Sequence, residues 1–224
     1  MVAIVTPLAG TAMAILALAS GRNMWQTYSV CREGRSGFEE SHTSFGNMDG
    51  QEEVLGKLQG VSKRDLLHLF LSSKCPEDLG CIRGEWNGIL LNNNHVLTAV
   101  SRILTNSFFG RGRRWNGKAF YDSQIRQAGT NRFRSRDDLF KIETEHRFVY
   151  SIAPSRMDPR GSSVNLKYSK YQHLFSLWKT MVDELRMLQL PEKCPIEVLI
   201  CMGCMGWSGG VLNASPFFLW RLKE

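Results

Sequence analysis

Cys201-Met202-Gly203-Cys204 is the most reactive-looking tetrapeptide in the chain. A Cys-x-x-Cys pair can chelate zinc or cycle as a disulfide. A regular strand points residues three apart to opposite faces, so chelation would require Gly203 to bend the chain. A structural zinc also needs two more ligands. Cys194 offers one, and no His lies within twenty residues. The pattern favours two buried free thiols over a metal site. Cys75 and Cys81 are placed to close a small loop if the compartment is oxidising.

Other groupings offer less. His42, His68, His95, His146 and His173 are scattered, without the spacing of metal-binding helices. Ser208-Gly209-Gly210 reads as a turn rather than a nucleophile elbow. Asp183-Glu184 beside Arg186, and Asp158 between Arg156 and Arg160, pair opposite charges. They read as salt bridges on a solvated face. No nucleophile, base and acid come together, so the pattern leans away from an enzyme. Lys118 and Arg132 lie on or beside apolar runs and can meet a carboxylate or phosphate head group, unless they are exposed members of a basic face.

That basic face is local. The 224 residues carry a net charge of +7, yet residues 102–136 hold nine Lys and Arg against one acid, Asp122, so the rest of the chain is close to neutral. Within this stretch Arg111, Arg113, Arg114, Arg134 and Arg136 alternate with Phe108, Phe109, Trp115, Phe120, Tyr121 and Phe133. Arginines among aromatics can bind single-stranded nucleic acid. No nucleic-acid module pattern accompanies them, which leaves an anionic membrane or an acidic protein partner as the better reading.

These residues need elements to position them. Residues 1–21 are uncharged, and fifteen of them are Ala, Val, Ile, Leu or Met. This run reaches the ~20 residues of a membrane span, and Gly10 and Ala14 form a small-x-x-x-small pair. A cleaved signal is the alternative, given Ala17-Leu18-Ala19, although a basic leading segment is missing. Residues 29–50 read as a linker rich in Gly, Ser, Glu and Asn. Ser62 can cap a short apolar helix from Leu66 to about Ser73.

From Gly84 onward short runs with strand chemistry recur at Glu85–Leu91, Trp115–Tyr121, Phe140–Ile152, Ser163–Tyr168, Val198–Cys201 and Phe217–Leu222. Helical spacing is expected over Val96–Phe108 and again over Phe175–Leu188, whose end from Asp183 could equally be a strand. Asn131-Arg132, preceded by Gly129, reads as a turn. Many short strands with few helices imply a mainly β fold, an antiparallel sheet closed on itself. Three segments follow: an apolar helix (1–21), a linker with a short helix (22–83) and a barrel domain (84–224).

Gly84-Glu85-Trp86-Asn87-Gly88 opens the first strand, and Trp115-Asn116-Gly117 repeats its Trp-Asn-Gly core 29 residues later. Pro216-Phe217-Phe218-Leu219-Trp220-Arg221 forms the last strand. A Gly-x-Trp at the head of a first strand, with an Arg late in the chain, resembles the lipocalin and wider calycin barrels. The resemblance implies that Gly84, Trp86 and Arg221 close one end of the barrel, the guanidinium lying over the indole. Such a stack is worth about 1–2 kcal/mol. The full order of motifs is most similar to the GXWXG-motif proteins, small lipocalin-like domains, and the resemblance runs over about residues 84–222.

A barrel of this kind either holds one small ligand or fills with its own side chains. Trp86, Trp115, Lys118, Phe120, Arg132, Phe148, Tyr150 and Trp220 are the candidate lining residues for a lipid, isoprenoid or pigment. No cofactor is required by the pattern. The expected role is a non-catalytic, membrane-associated structural or assembly subunit that docks onto a larger complex, in an organelle membrane for example. A lipid, isoprenoid or pigment carrier is the alternative, an isomerase or lyase ranks third, and secretion after signal cleavage is the alternative address. Large aromatic residues at six or more inward positions would favour the filled barrel of a structural subunit.

Overall fold

The computed structural model describes residues 20–32, 50–91, 99, 102–123, 126–135, 137–138, 140–173, 176–206 and 209–223. Most of the apolar run at 1–21, most of the 29–50 linker and Arg136 lie outside the described residues.

Eight antiparallel strands form a closed barrel: β1 Gly84–Leu90, β2 Arg114–Ser123, β3 Arg126–Arg134, β4 Ile142–Pro154, β5 Ser162–Lys167, β6 Met181–Met187, β7 Ile196–Met205 and β8 Ser215–Leu222. Each strand pairs with the next, and β8 returns to β1 with Asn87 opposite Trp220 and Leu90 opposite Phe217. The architecture is the mainly β, lipocalin- or calycin-like barrel that the sequence implies. Helix α1 (20–32) precedes it, followed by α2 (Gln51–Gly60) and α3 (Lys63–Ser72).

The two Trp-Asn-Gly segments lie side by side in the sheet, with Trp86 opposite Lys118 and Asn87 opposite Gly117. Their glycines make room for the packing. A Cβ on Gly88 would stand 2.5 Å from the Trp115 ring, and Gly117, at φ +127°, has its α-hydrogen side against the Trp86 carbonyl. A bulge between Trp115 and Gly117 accommodates that backbone.

Alternation along each strand creates two cores. Trp86, Phe120, Phe148, Leu166, Leu185 and Leu199 belong to the inner one. The outward residues Val198, Ile200, Met202 and Phe218 join Leu58, Leu66, Leu67 and Phe70 of α2 and α3 in the other. Helix α3 begins where expected. Ser62 accepts a hydrogen bond from the Asp65 amide (3.2 Å), and Ser73 closes the last turn onto Leu69 O. Among the described residues no helix is long and apolar enough to cross a membrane.

Three expectations are corrected. The turn at Asn131-Arg132 is the middle of β3, paired on both sides, with Asn131 opposite Lys118 and Glu145. Two ladders outweigh the weak strand preference of Gly and Asn. The helical stripe over 175–188 is a short 3₁₀ turn, Leu177–Thr180, followed by β6. The alternative strand reading from Asp183 is the one that holds. The charges there are not on a solvated face: Asp183, Glu184 and Arg186 are all buried. Glu184 accepts from Ser155 Oγ (2.6 Å), Ser163 Oγ (3.0 Å) and the Arg156 amide (2.8 Å). Arg186 donates to Asp158 (3.0 Å) and to Leu71 O (3.0 Å), and its guanidinium covers the Phe70 ring, fastening α3 to the barrel wall. The segment 96–108 is described only in part. It contains a π-helical turn, Ile103–Phe109, on which Ile103 is exposed.

Candidate functional site

The closing motif takes its expected form. Trp86 is fully buried, donates its indole N–H to Ile82 O (2.9 Å) and lies beneath the Arg221 guanidinium at 4.3 Å. Arg221 pairs with Glu197 (2.6 Å) and donates to the carbonyls of Arg83 and Cys81. Gly84 sits beside it at φ +97°, a backbone that disfavours any side chain. The last strand is thereby locked onto the entry to the first.

Lys118 occupies the inside of the barrel, away from the basic face. Its ammonium donates to Asn131 Oδ1 (2.8 Å), to the Tyr168 hydroxyl (2.6 Å) and to Asp183 Oδ2 (2.9 Å). All three N–H groups are therefore used. The Tyr168 hydroxyl donates in turn to Asp183 Oδ2 (2.7 Å), and the Trp115 indole N–H donates to Asn131 Oδ1 (3.2 Å). The rings of Trp115, Phe148, Tyr168 and Phe217 surround the ammonium at 5.3–5.7 Å. Burial and the adjacent Asp183 carboxylate hold the Tyr168 phenol well above its ordinary range. The same two influences push up the Cys201 thiol. Neither group ionises near neutrality.

Around this pair the aromatic residues touch one another. Phe120 meets Phe148 at 5.6 Å and Tyr150 at 5.3 Å, and Trp115 meets Phe217 edge-on at 5.6 Å. Among the described residues, six inward strand positions carry Trp or Phe, namely Trp86, Trp115, Phe120, Phe133, Phe148 and Phe217, and Trp178 of the 3₁₀ turn joins them. Of the sequence candidates, Trp86, Trp115, Lys118, Phe120, Phe148 and Tyr150 converge inside the barrel. Arg132 and Trp220 do not. Arg132 pairs with Glu85 (2.6 Å) and donates to Trp86 O, while Trp220 packs towards the helices.

The interior partners Asn131, Tyr168 and Asp183 escaped the sequence reading. Asn131 had one available signal, its place opposite Lys118 in a β2–β3 hairpin register. The two cysteines of the Cys-x-x-Cys pair do face opposite ways. Cys201 joins the inner core and Cys204 the outer one, and all six cysteines are free.

The basic face is partly neutralised. Arg113 bonds Glu143 (2.6 Å) and Glu145, and Arg111 reaches Glu145 (3.3 Å). The Arg113 hydrogen bond draws the Glu143 carboxyl below its ordinary range. Arg114 and Arg134 stand exposed and directly opposite each other across β2 and β3.

No family model, curated protein or solved structure matches the chain.

Proposed function

We propose that this chain is a non-catalytic structural or assembly subunit, associated with a membrane, whose barrel is a rigid plug docked onto a larger complex. The observation that carries the reading is the set of large side chains at the inward positions. Six inward Trp and Phe residues pack around an ammonium whose donors are all used. A carrier's cavity would instead present apolar walls with several polar anchors left open for a ligand; of this cluster only Asp183 Oδ1 is without a hydrogen-bond partner. The kinship to the GXWXG-motif proteins belongs to this reading and rests on Gly84, Trp86, Gly88 and Arg221. The uncharged run at 1–21 and the exposed Arg114 and Arg134 supply the means of attachment.

Native mass spectrometry of the protein extracted from its own membrane tests this. The expected spectrum shows the chain with other polypeptides and an empty barrel. A monomer that needs no detergent and carries a stoichiometric lipid, isoprenoid or pigment would replace the reading with that of a carrier.

A further inference from the structure

Helix α1 is amphipathic in an inverted sense. The face turned to the protein is polar in its first half: Asn23 and Thr27 are fully buried, followed by Val30. Asn23 bonds Asn213 and receives the Lys63 ammonium, and Thr27 donates to Asn23 O (3.0 Å). The opposite stripe carries Arg22, Trp25, Tyr28 and Arg32, spaced three or four apart and all exposed. Trp25 is 68% exposed and Tyr28 46%, with ring centroids 6.0 Å apart. A helix facing water ordinarily does the reverse, burying its aromatics and exposing its amides.

This stripe has the chemistry of a bilayer interface. Trp and Tyr favour the headgroup level, where an apolar ring body and a polar tip are both accommodated. Arginines at either end of the aromatic pair complement lipid phosphates. The thirteen residues of α1 contain no acid to oppose them. In the chain α1 directly follows nineteen residues without a charge, a run that also suits an apolar medium.

We infer that α1 lies in the plane of an anionic membrane surface, with Trp25 and Tyr28 among the headgroups and Arg22 and Arg32 on their phosphates. The inference rests on the membrane-associated reading above and adds the face that meets the lipid. It also orients the barrel, whose wall bearing the β7–β8 connection at Asn213 is the side turned to the bilayer.

The test uses the full chain and vesicles either of phosphatidylcholine alone or of equal parts phosphatidylcholine and phosphatidylglycerol, with brominated acyl chains. The native chain is expected to lose a component of tryptophan emission that a Trp25→Phe chain does not lose. Arg22→Gln with Arg32→Gln is expected to lower partitioning onto the anionic vesicles about 30-fold and to leave the zwitterionic vesicles little changed. All three side chains are exposed, so thermal unfolding should be unaltered and serves as the folding control. If the chain sediments with vesicles while Trp25 stays unquenched, residues 1–19 or another face hold the membrane and the inference falls, although the assembly reading survives. Self-association abolished by Trp25→Phe would also overturn it, in favour of a second copy on this face. Absence of partner polypeptides in native mass spectra, with Trp25 quenched, would sink the assembly reading alone.

Discussion

The Lys118 ammonium on β2 and the Asp183 carboxylate on β6 stand 2.9 Å apart inside the barrel, and both side chains are closed to solvent. A buried pair is costly to break from one side, because the survivor is left as an uncompensated charge. Lys118→Met is expected to destabilise the fold by about 3–5 kcal/mol. Lys118→Met combined with Asp183→Leu should recover most of that loss. Urea unfolding of the two variants measures the difference, and equal losses in the single and double variants would show that the pair is not the cause.

Arg221 links three strands through one side chain. Arg221→Met removes the cover over Trp86, the pair with Glu197 and two bonds to carbonyls of the segment entering β1. A loss of about 2–3 kcal/mol is expected, smaller than for Lys118 because the guanidinium is partly solvated. Arg221→Lys keeps the charge but not the planar fork, and should recover less than half in the same denaturant series.

Lys63 supplies a pH dependence. Its ammonium is buried among Asn23, Ala214 O and the thiols of Cys31 and Cys204, and burial draws its pKa down to about 7. The unfolded chain, with Lys near its ordinary 10.5, therefore binds more protons than the folded one above pH 7. Stability should rise with pH from about 7, by up to about 1.4 kcal/mol per unit. The thiols of Cys31, Cys75, Cys81, Cys201 and Cys204, all raised above 9.0, oppose this as the pH approaches 9. The clean window is thus pH 7 to 8. Thermal unfolding of the native chain should improve across it relative to Lys63→Met, and parallel curves would refute the assignment.

Two glycines should respond in opposite directions. Gly117→Ala places a methyl 2.0 Å from Trp86 O at a positive φ and should cost several kcal/mol or prevent folding. Gly56→Ala, within α2 and with nothing within 4 Å, should stabilise by about 0.5–1 kcal/mol. Calorimetric melting of both separates backbone demand from helix propensity.

Much of the barrel is legible in the residues themselves. Strands β1, β2, β5 and β8 are short runs with strand chemistry bounded by turn residues, and they are placed within two residues of their observed ends. Gly84, Trp86 and Arg221 were recoverable through the resemblance to calycin barrels, in which an Arg of the last strand lies over the Trp of the first. Strand β3 was hidden by Gly129 and Asn131, whose local preference is for turns. In β6, Asp183, Glu184 and Arg186 looked solvated, and only the fold supplies their partners: Lys118 and Tyr168 on one side, Ser155, Ser163 and Asp158 on the other. Lys118 could be singled out as a polar anchor. Its partner could not, since pairing across the barrel depends on closure rather than on spacing along the chain.

The hydrogen-bonded seam between β1 and β8 has a kinetic consequence. Asn87 must find Trp220 and Gly88 must find Leu219, so the last ladder joins the two most distant parts of the barrel sequence. Loop-closure entropy has to be met before that ladder returns any energy, and chains of such high contact order fold slowly. Until the seam forms, β1 and β8 each present an open edge lined by Leu90, Phe217 and Phe218. During folding this is the interval in which the chain is most exposed to aggregation.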